Sequence, residues 1–123
     1  MDKKYRVAIA HSDEDLGTPA EYTREQLDRV KAMIRKVAED SIGGLQNLIK
    51  EGDKVLIKIN TVTPSDPGQG FTTDPRMLEA LIELVKEQKP SKIMIGERCA
   101  LGQDTLYAMK VCGITEVAER TGA

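Results

Sequence analysis

The feature that most constrains the fold is an alternation of short apolar runs with amphipathic stretches at helical spacing. The clearest run is 54–60, KVLIKIN, whose nearly continuous apolar content is typical of a parallel strand covered on both faces. Shorter runs at 6–10 and 92–95 predict two further strands. The order strand, helix, strand, helix, strand, helix predicts an α/β fold, a three-layer sandwich with a small, mostly parallel sheet of about three strands flanked by helices.

Residues that favour helix ends bound the amphipathic stretches. Apolar residues recur every three or four positions over 24–41, and Gly43-Gly44 then ends this helix. Asp74 is suited to cap the next helix, with Pro75 in its first position, and Pro90 marks its exit. Two short helices are predicted after the last strand, from about Asp104 to Val111 and over 114–120.

Composition narrows the function classes. A chain of 123 residues predicts one domain, 1–123. There is no Trp and the net charge is −2, so neither base stacking nor phosphate neutralisation is supported and no nucleic-acid partner is expected. No apolar run approaches the roughly 20 residues of a membrane span, so no membrane partner is expected and the default location is cytoplasmic. Two cysteines are too few for a disulfide framework or a four-thiolate site, and no metal site is predicted.

Polar side chains follow all three predicted strands, and ligands of open α/β sheets bind beyond these carboxyl ends. The ends carry His11, then Lys58 and Asn60, then Glu97 and Arg98. A lysine in an apolar strand is costly unless it is paired or functional, so Lys58 either meets an anion or a carboxylate such as Glu97, or its stem reaches water from an edge. Asn60 either contacts a ligand or, as we favour, shapes the next loop.

The loop before the second helix is the other candidate region. Backbone N–H groups at a helix start suit an anion, but the carboxylate of Asp74 is expected to occupy them as an N-cap. Thr72 and Thr73 stay open as ligand contacts. The predicted binding set for a small anionic molecule is therefore Lys58, Asn60, Thr72, Thr73, Glu97 and Arg98.

Three further side chains have open roles. His11 is the only histidine, and a lone histidine is more often structural than catalytic. Cys99 lies in a loop at the ligand edge and is reactive only if its thiolate is stabilised. Cys112 fits a small buried residue. The sequence thus assigns no catalytic residue.

Four segments together resemble the domain-of-unknown-function family numbered 362. They are GDKVLIKIN (52–60), TTDP (72–75), KIMIGE (92–97) and GITEVAE (113–119). Members usually carry Pro where this chain has Ile59, and they are usually much longer. Many members also bear ferredoxin-like cysteine clusters for iron–sulfur centres. This chain has no such motif, so the resemblance implies no iron–sulfur role for these residues and the cofactor stays unknown.

Two hypotheses for function follow. In the first, the domain binds a small anionic metabolite or cofactor at the carboxyl edge of its sheet, and whether it is an enzyme stays open. In the second, it is a non-catalytic structural or self-associating module in which the same residues cap helices and shape loops. Three strands leave exposed edges. The domain is therefore expected to be the N-terminal portion of a larger architecture or to form a homo-oligomer.

Overall fold

Two strands and four α-helices form the regular part of the structure, a computed structural model that describes residues 6–123. The strands are β1 (Lys54–Lys58) and β2 (Lys92–Gly96). The helices are α1 (Arg24–Ile42), α2 (Pro75–Lys86), α3 (Thr105–Val111) and α4 (Ile114–Thr121). The α/β class predicted from the sequence is confirmed, with two strands in the described residues rather than three.

The prediction of a first strand over 6–10 is wrong. The segment forms no strand, and Val7 and Ile9 are 87% and 88% exposed. The chain that follows it is held against the helices, because Arg76 of α2 donates to the carbonyls of Leu16 and Gly17, both at 2.8 Å. An apolar run indicates a strand, but a strand also needs a neighbouring strand to pair with. The run itself does not show whether such a neighbour exists.

β1 and β2 pair in parallel, with Val55 opposite Ile93 and Ile57 opposite Ile95. Ile57 belongs to the face that packs on the helices and is 8% exposed, whereas its neighbour Leu56 is 62% exposed. The expectation that strand 54–60 is covered on both faces is therefore wrong. Helices α2 and α4 cover one face only, because α1 packs on α2 and not on the far side of the sheet.

The main core lies between the covered sheet face and the helices α2 and α4. Full burial of one large aliphatic side chain stabilises a fold by about 1.5–3 kcal/mol, so this layer holds the sheet on the helices. Its buried residues are Ile57, Ile59, Leu78, Ile82, Val85, Cys112, Ile114 and Val117.

α1 forms a second, smaller core with α2. Leu27 and Val30 of α1 are almost fully buried and cluster with Ala80, whose small side chain allows the two helices to approach closely. A capping box between Thr23 and Gln26 begins α1, and Gly43 in the left-handed conformation ends it. The helix predicted over 24–41 is confirmed to within one residue.

The starts of the remaining helices are also confirmed to within one residue, whereas α2 ends at Lys86, four residues before Pro90. Asp74 caps α2 with Pro75 in the first position, and Asp104 caps α3. Gly113, at φ 75°, separates α3 from α4. Over residues 6–123, none of the helices is both long enough and apolar enough to cross a membrane.

Candidate functional site

The parallel pairing brings the ends of β1 and β2 together. Lys58 pairs with Gly96, and the Ile59 N–H donates to the Gly96 carbonyl at 3.2 Å. Glu97 and Arg98 follow Gly96 directly, so they lie at the same sheet edge as Lys58. This edge is where α/β sheets place ligands.

An ion pair joins the two strand ends. The Lys58 Nζ atom lies 2.6 Å from Glu97 Oε2 and 2.7 Å from the Ile59 carbonyl. The Glu97 side chain is only 5% exposed, whereas that of Lys58 is 68% exposed. Of the two alternatives for Lys58, the structure therefore shows the contact with Glu97, while leaving the lysine open to solvent.

Glu97 is held in its ionised form. Burial acts to raise the pKa of its carboxyl group, but the hydrogen bonds from Lys58 and from the backbone N–H groups of Arg98 and Thr61 lower it by more. The Arg98 N–H lies 2.6 Å from Glu97 Oε1. The pKa of Glu97 consequently lies below its ordinary value. An ionised carboxylate suits the positioning of Lys58 and not the donation of a proton at neutral pH.

Two cationic groups at this edge have donor capacity left. A lysine ammonium carries three N–H groups, and Lys58 uses two of them, for Ile59 and Glu97. The Arg98 side chain is exposed and makes no hydrogen bond or ion pair with the residues the structure describes. Both groups therefore face solvent with unused donors.

Asn60 and Thr73 close the loop between β1 and α2. The Thr73 hydroxyl accepts from the Asn60 N–H at 2.9 Å, and the Thr73 N–H donates to the Asn60 carbonyl at 2.7 Å. The Asn60 side-chain amide donates to the Phe71 carbonyl at 3.0 Å. Asn60 thus makes the loop-shaping bonds that the sequence favours, and Thr73 does the same.

Thr72 differs from its neighbours in the loop. It forms an isolated antiparallel bridge with Thr61, and its Oγ1 atom is buried without a hydrogen-bond partner among residues 6–123. An unpaired buried hydroxyl costs about 1–3 kcal/mol. Among the predicted site residues, Thr72 is therefore the one with a buried hydroxyl group that makes no hydrogen bond within residues 6–123.

The two cysteines are both buried. Cys99 is 6% exposed, with its Sγ atom 3.4 Å from the Thr61 hydroxyl. Cys112 is fully buried, with its Sγ atom 3.4 Å from the Ser65 carbonyl. The buried placement predicted for Cys112 is confirmed, and Cys99 also packs as an interior residue.

His11 and Asp74 lie outside the Lys58–Glu97 pair. His11 contacts Asp13 at 2.8 Å, and both side chains are largely exposed. The Asp74 carboxylate accepts from the Arg76 backbone at 2.9 Å and forms an ion pair with the Arg76 guanidinium. As expected for an N-cap, Asp74 occupies the donors at the start of α2.

A row of carboxylates along α2 and its C-cap was not predicted from the sequence. Glu79, Glu83 and Glu87 are spaced four residues apart, which places them on one helix face. Glu79 accepts a hydrogen bond from the Tyr22 hydroxyl. It also accepts two from the Arg120 guanidinium, at 2.7 and 3.0 Å. The spacing itself is the signal that would have revealed this row, because acids recurring within an apolar helix pattern need basic partners.

The basic partners of the other two acids come from α1. Glu83 binds Arg24 and Lys31, and Glu87 binds Lys31 and Arg35. Hydrogen bonds from Arg24 and Lys31 lower the pKa of Glu83 to about 2, against the opposing effect of burial. These ion pairs therefore join α1 to α2, in addition to the apolar contact between the two helices.

A cavity of about 300 Å³ lies between α1 and the first turn of α2. Its walls are mainly apolar, and none of the six predicted site residues lines it. Among the residues described, no group of three or more His, Cys, Asp or Glu side chains is placed to hold a metal ion. The chemistry available at the strand ends is thus that of two cations and one fixed carboxylate.

Comparison with known proteins identifies the family. The model of the Domain of unknown function (DUF362) matches residues 55–123, which is more than half of the chain. The chain belongs to this family. The match contains β2, all of β1 except Lys54, and the Lys58–Glu97 pair, so the candidate pair lies within the matched region.

A curated relative is similar to the same domain. The Thylakoid-associated protein sll1697 of Synechocystis sp. (strain ATCC 27184 / PCC 6803 / Kazusa) is 37% identical over 71 residues, which is 58% of this chain. The aligned residues make up 22% of that relative, so this chain spans less than a quarter of its length. No solved structure matches the chain.

Proposed function

We propose that this DUF362 domain binds a small anionic metabolite or cofactor at the carboxyl edge of its sheet. The observation that carries the proposal is the Lys58–Glu97 pair, in which a buried carboxylate holds an exposed ammonium at the strand ends. Backbone N–H groups already fix the Glu97 carboxylate, and Glu97 in turn holds Lys58. Little side-chain entropy is therefore lost when Lys58 binds a ligand.

Phosphate or carboxylate is the ligand group that these residues suit. Lys58 supplies one free N–H and Arg98 supplies an exposed guanidinium, and charge-assisted bonds from such groups are about twice as strong as neutral ones. Glu97 positions Lys58 through their ion pair. We assign no reaction to the site, because no group there is arranged as a nucleophile or a general acid.

The loop residues have different parts in this proposal. Asn60 and Thr73 hold the shape of the loop, since their polar atoms already bond within it. Thr72 has the unused hydroxyl and is the loop residue we expect to contact a ligand after a small movement. Cys99 and Cys112 are buried and form no cluster, so no iron–sulfur centre is proposed on this chain.

The test is a thermal-shift screen of inorganic phosphate, nucleotides, flavins and organic acids. A ligand at 100 times its Kd stabilises by about 2.7 kcal/mol, which is several degrees in Tm for a domain of this size. We expect stabilisation by one class of anion, and loss of that stabilisation in Lys58→Met. Lys54→Met is the matched control, because Lys54 lies four residues earlier on the same strand. No stabilisation by any anion, or full stabilisation of Lys58→Met, would reject the proposal.

The alternative is a non-catalytic structural or self-associating module, and the hydrogen bonds within the loop are the observation that favours it. Asn60, Thr73 and Glu97 all bond within the protein. Under this alternative, Lys58→Met and Glu97→Gln lower Tm while no anion in the screen changes it. The two functions therefore predict different results from the same variants.

Location belongs to the same proposal. We propose a cytoplasmic location from the composition, although the relative that shares this domain is named as thylakoid-associated. Fractionation of cells that express a tagged chain checks this. Recovery with the membrane pellet would contradict the cytoplasmic location and leave the anion site untouched.

A further inference from the structure

One face of the sheet, which carries Leu56, is covered by none of the elements that the structure describes. Parallel sheets are found almost only with both faces covered, because their central side chains are apolar on both sides. Here Leu56 is 62% exposed, and Met94 lies directly opposite it in the register. Leu56 also leans over Gly96, since a Cβ atom at position 96 would lie 2.9 Å from Leu56 Cδ1. The centre of this face is thus flat and apolar.

Lysines surround that apolar centre. Lys54 and Lys92 pair across the amino-terminal end of the face, and Lys58 lies at the other end. Lys54 and Lys92 are exposed and form no ion pair with the residues the structure describes. The face therefore presents two unneutralised positive charges at one end.

The dimensions of the face suit one helix. Two strands about 4.8 Å apart give a strip about 10 Å wide, which is the diameter of one α-helix. Five residues at about 3.3 Å each give a length of about 17 Å, or roughly three helical turns. The strip is too narrow for a second sheet to gain much by packing on it.

The charges discriminate between possible occupants. Two copies stacked with their strands in the same direction would oppose Lys54 and Lys92 with the same two lysines, which repel. In the opposite direction Lys54 and Lys92 would meet Lys58, whose charge Glu97 already balances, so this arrangement gains no ion pair. A helix that runs antiparallel to the strands, as helices in α/β folds do, places its negative C-terminal end over Lys54 and Lys92. Carboxylates in the last turn of such a helix would add two ion pairs.

We propose that the face formed by Lys54, Leu56, Lys92 and Met94 docks one amphipathic α-helix of a partner polypeptide, with an apolar stripe over Leu56 and Met94 and carboxylates in its last turn. Its two charged residues, Lys54 and Lys92, lie at the opposite end of the strands from Glu97, whereas Lys58 of the anion site borders the other end of the same face. The charge-reversal test below changes neither Lys58 nor Glu97, so the two proposals can fail independently.

The test uses two designed, stapled peptides of about four turns, each with the same leucine stripe and one Trp. The chain has no Trp, so the peptide fluorescence reports binding directly. One peptide has Glu in its last turn and the other has Lys. We expect the Glu peptide to bind about five- to tenfold more tightly, with the NMR shifts of the protein centred on Leu56 and Met94.

Charge reversal makes the test decisive. Lys54→Glu with Lys92→Glu should invert the preference toward the Lys peptide, whereas the control Lys36→Glu, on the surface of α1, should leave it unchanged. Leu56→Thr should weaken both peptides. Equal binding of the two peptides, an unchanged preference after reversal, or NMR shifts centred on the cavity beside α1 would overturn the proposal. So would a dimer by light scattering that Leu56→Thr dissociates, or binding to anionic vesicles without binding to either peptide.

Discussion

Glu83→Gln should remove one part of the stability that the protein loses between about pH 4.5 and pH 2. Hydrogen bonds from Arg24 and Lys31 lower the pKa of Glu83 from its ordinary 4.5 to about 2, although burial opposes them. A group with a lowered pKa in the folded state stabilises the fold fully above its unfolded pKa. This contribution is then lost as the pH falls from about 4.5 toward 2.

The size of this effect follows from the geometry. A lowering of this extent corresponds to about 3 kcal/mol if no solvent screening acts. The Glu83 side chain is 22% exposed and that of Arg24 is 60% exposed, so solvent screening lowers the energy of their ion pair. We therefore expect about 1–2 kcal/mol of pH-dependent stability from Glu83.

The assay is urea unfolding followed by circular dichroism at pH 7, 5, 4 and 3. The free energy of unfolding of the wild type should fall between pH 5 and pH 3, and that of Glu83→Gln should fall by about 1–2 kcal/mol less. Glu119→Gln is the control, because Glu119 is exposed and forms no ion pair within residues 6–123. Parallel pH curves for the wild type and Glu83→Gln would refute the assignment.

Three further changes test the core, a cap and the Glu79 cluster. Ile114→Ala removes a fully buried side chain and should cost about 2–5 kcal/mol of unfolding free energy, measured in urea. Asp74→Ala removes the α2 cap and should cost about 0.5–2 kcal/mol, with a matching fall in Tm. Tyr22→Phe should remove a tyrosine that ionises near pH 12 in an ultraviolet pH titration, because burial and Glu79 raise the pKa of Tyr22 to about 12.

Their controls and contrary outcomes differ. Leu106→Ala, at a residue 78% exposed, should cost almost nothing, and a loss equal to that of Ile114→Ala would contradict the placement of the core. An Asp74→Asn variant should retain most of the cap, so a loss as large as in Asp74→Ala would point to the Arg76 ion pair instead. If the absorbance lost in Tyr22→Phe belongs to a phenol that titrates near the ordinary pKa of 10 and not near 12, the contact of Tyr22 with Glu79 is contradicted.

Local signals predicted the helices well. Thr23, Asp74 and Asp104 each accept a backbone hydrogen bond at a helix start, and the sequence reveals such caps because they act within four residues. The short range of these interactions is the physical reason for the success. It also explains why the α1 boundary was predicted to within one residue.

Interactions between distant segments were predicted less well. The apolar run 6–10 resembles a strand, yet whether it pairs depends on an edge and an anchor elsewhere, here the contact of Arg76 with Leu16 and Gly17. Leu56 was expected to be covered because the run 54–60 is almost continuously apolar, but the sequence does not say which layers are present. Both errors concern partners and not local conformation.

Part of the candidate site could be predicted from the rule that ligands of α/β sheets bind beyond the carboxyl ends of the strands. It predicts that Lys58, Glu97 and Arg98 share one edge, and the pairing of Lys58 with Gly96 shows that they do. It does not predict that Glu97 is buried or that Asn60 and Thr73 bond to each other. These depend on how the loop folds back, which no short motif encodes.

The parallel pairing of β1 and β2 has a consequence for how the chain folds. Each residue of β1 finds its hydrogen-bond partner only beyond the whole of α2, so the sheet has no local contacts with which to begin. Closing so long a loop is entropically costly until helix packing compensates for it. We therefore expect α2 to collapse onto β1 first and β2 to join late. Destabilising the Asp74 cap should then slow refolding, whereas destabilising β2 should mainly speed unfolding.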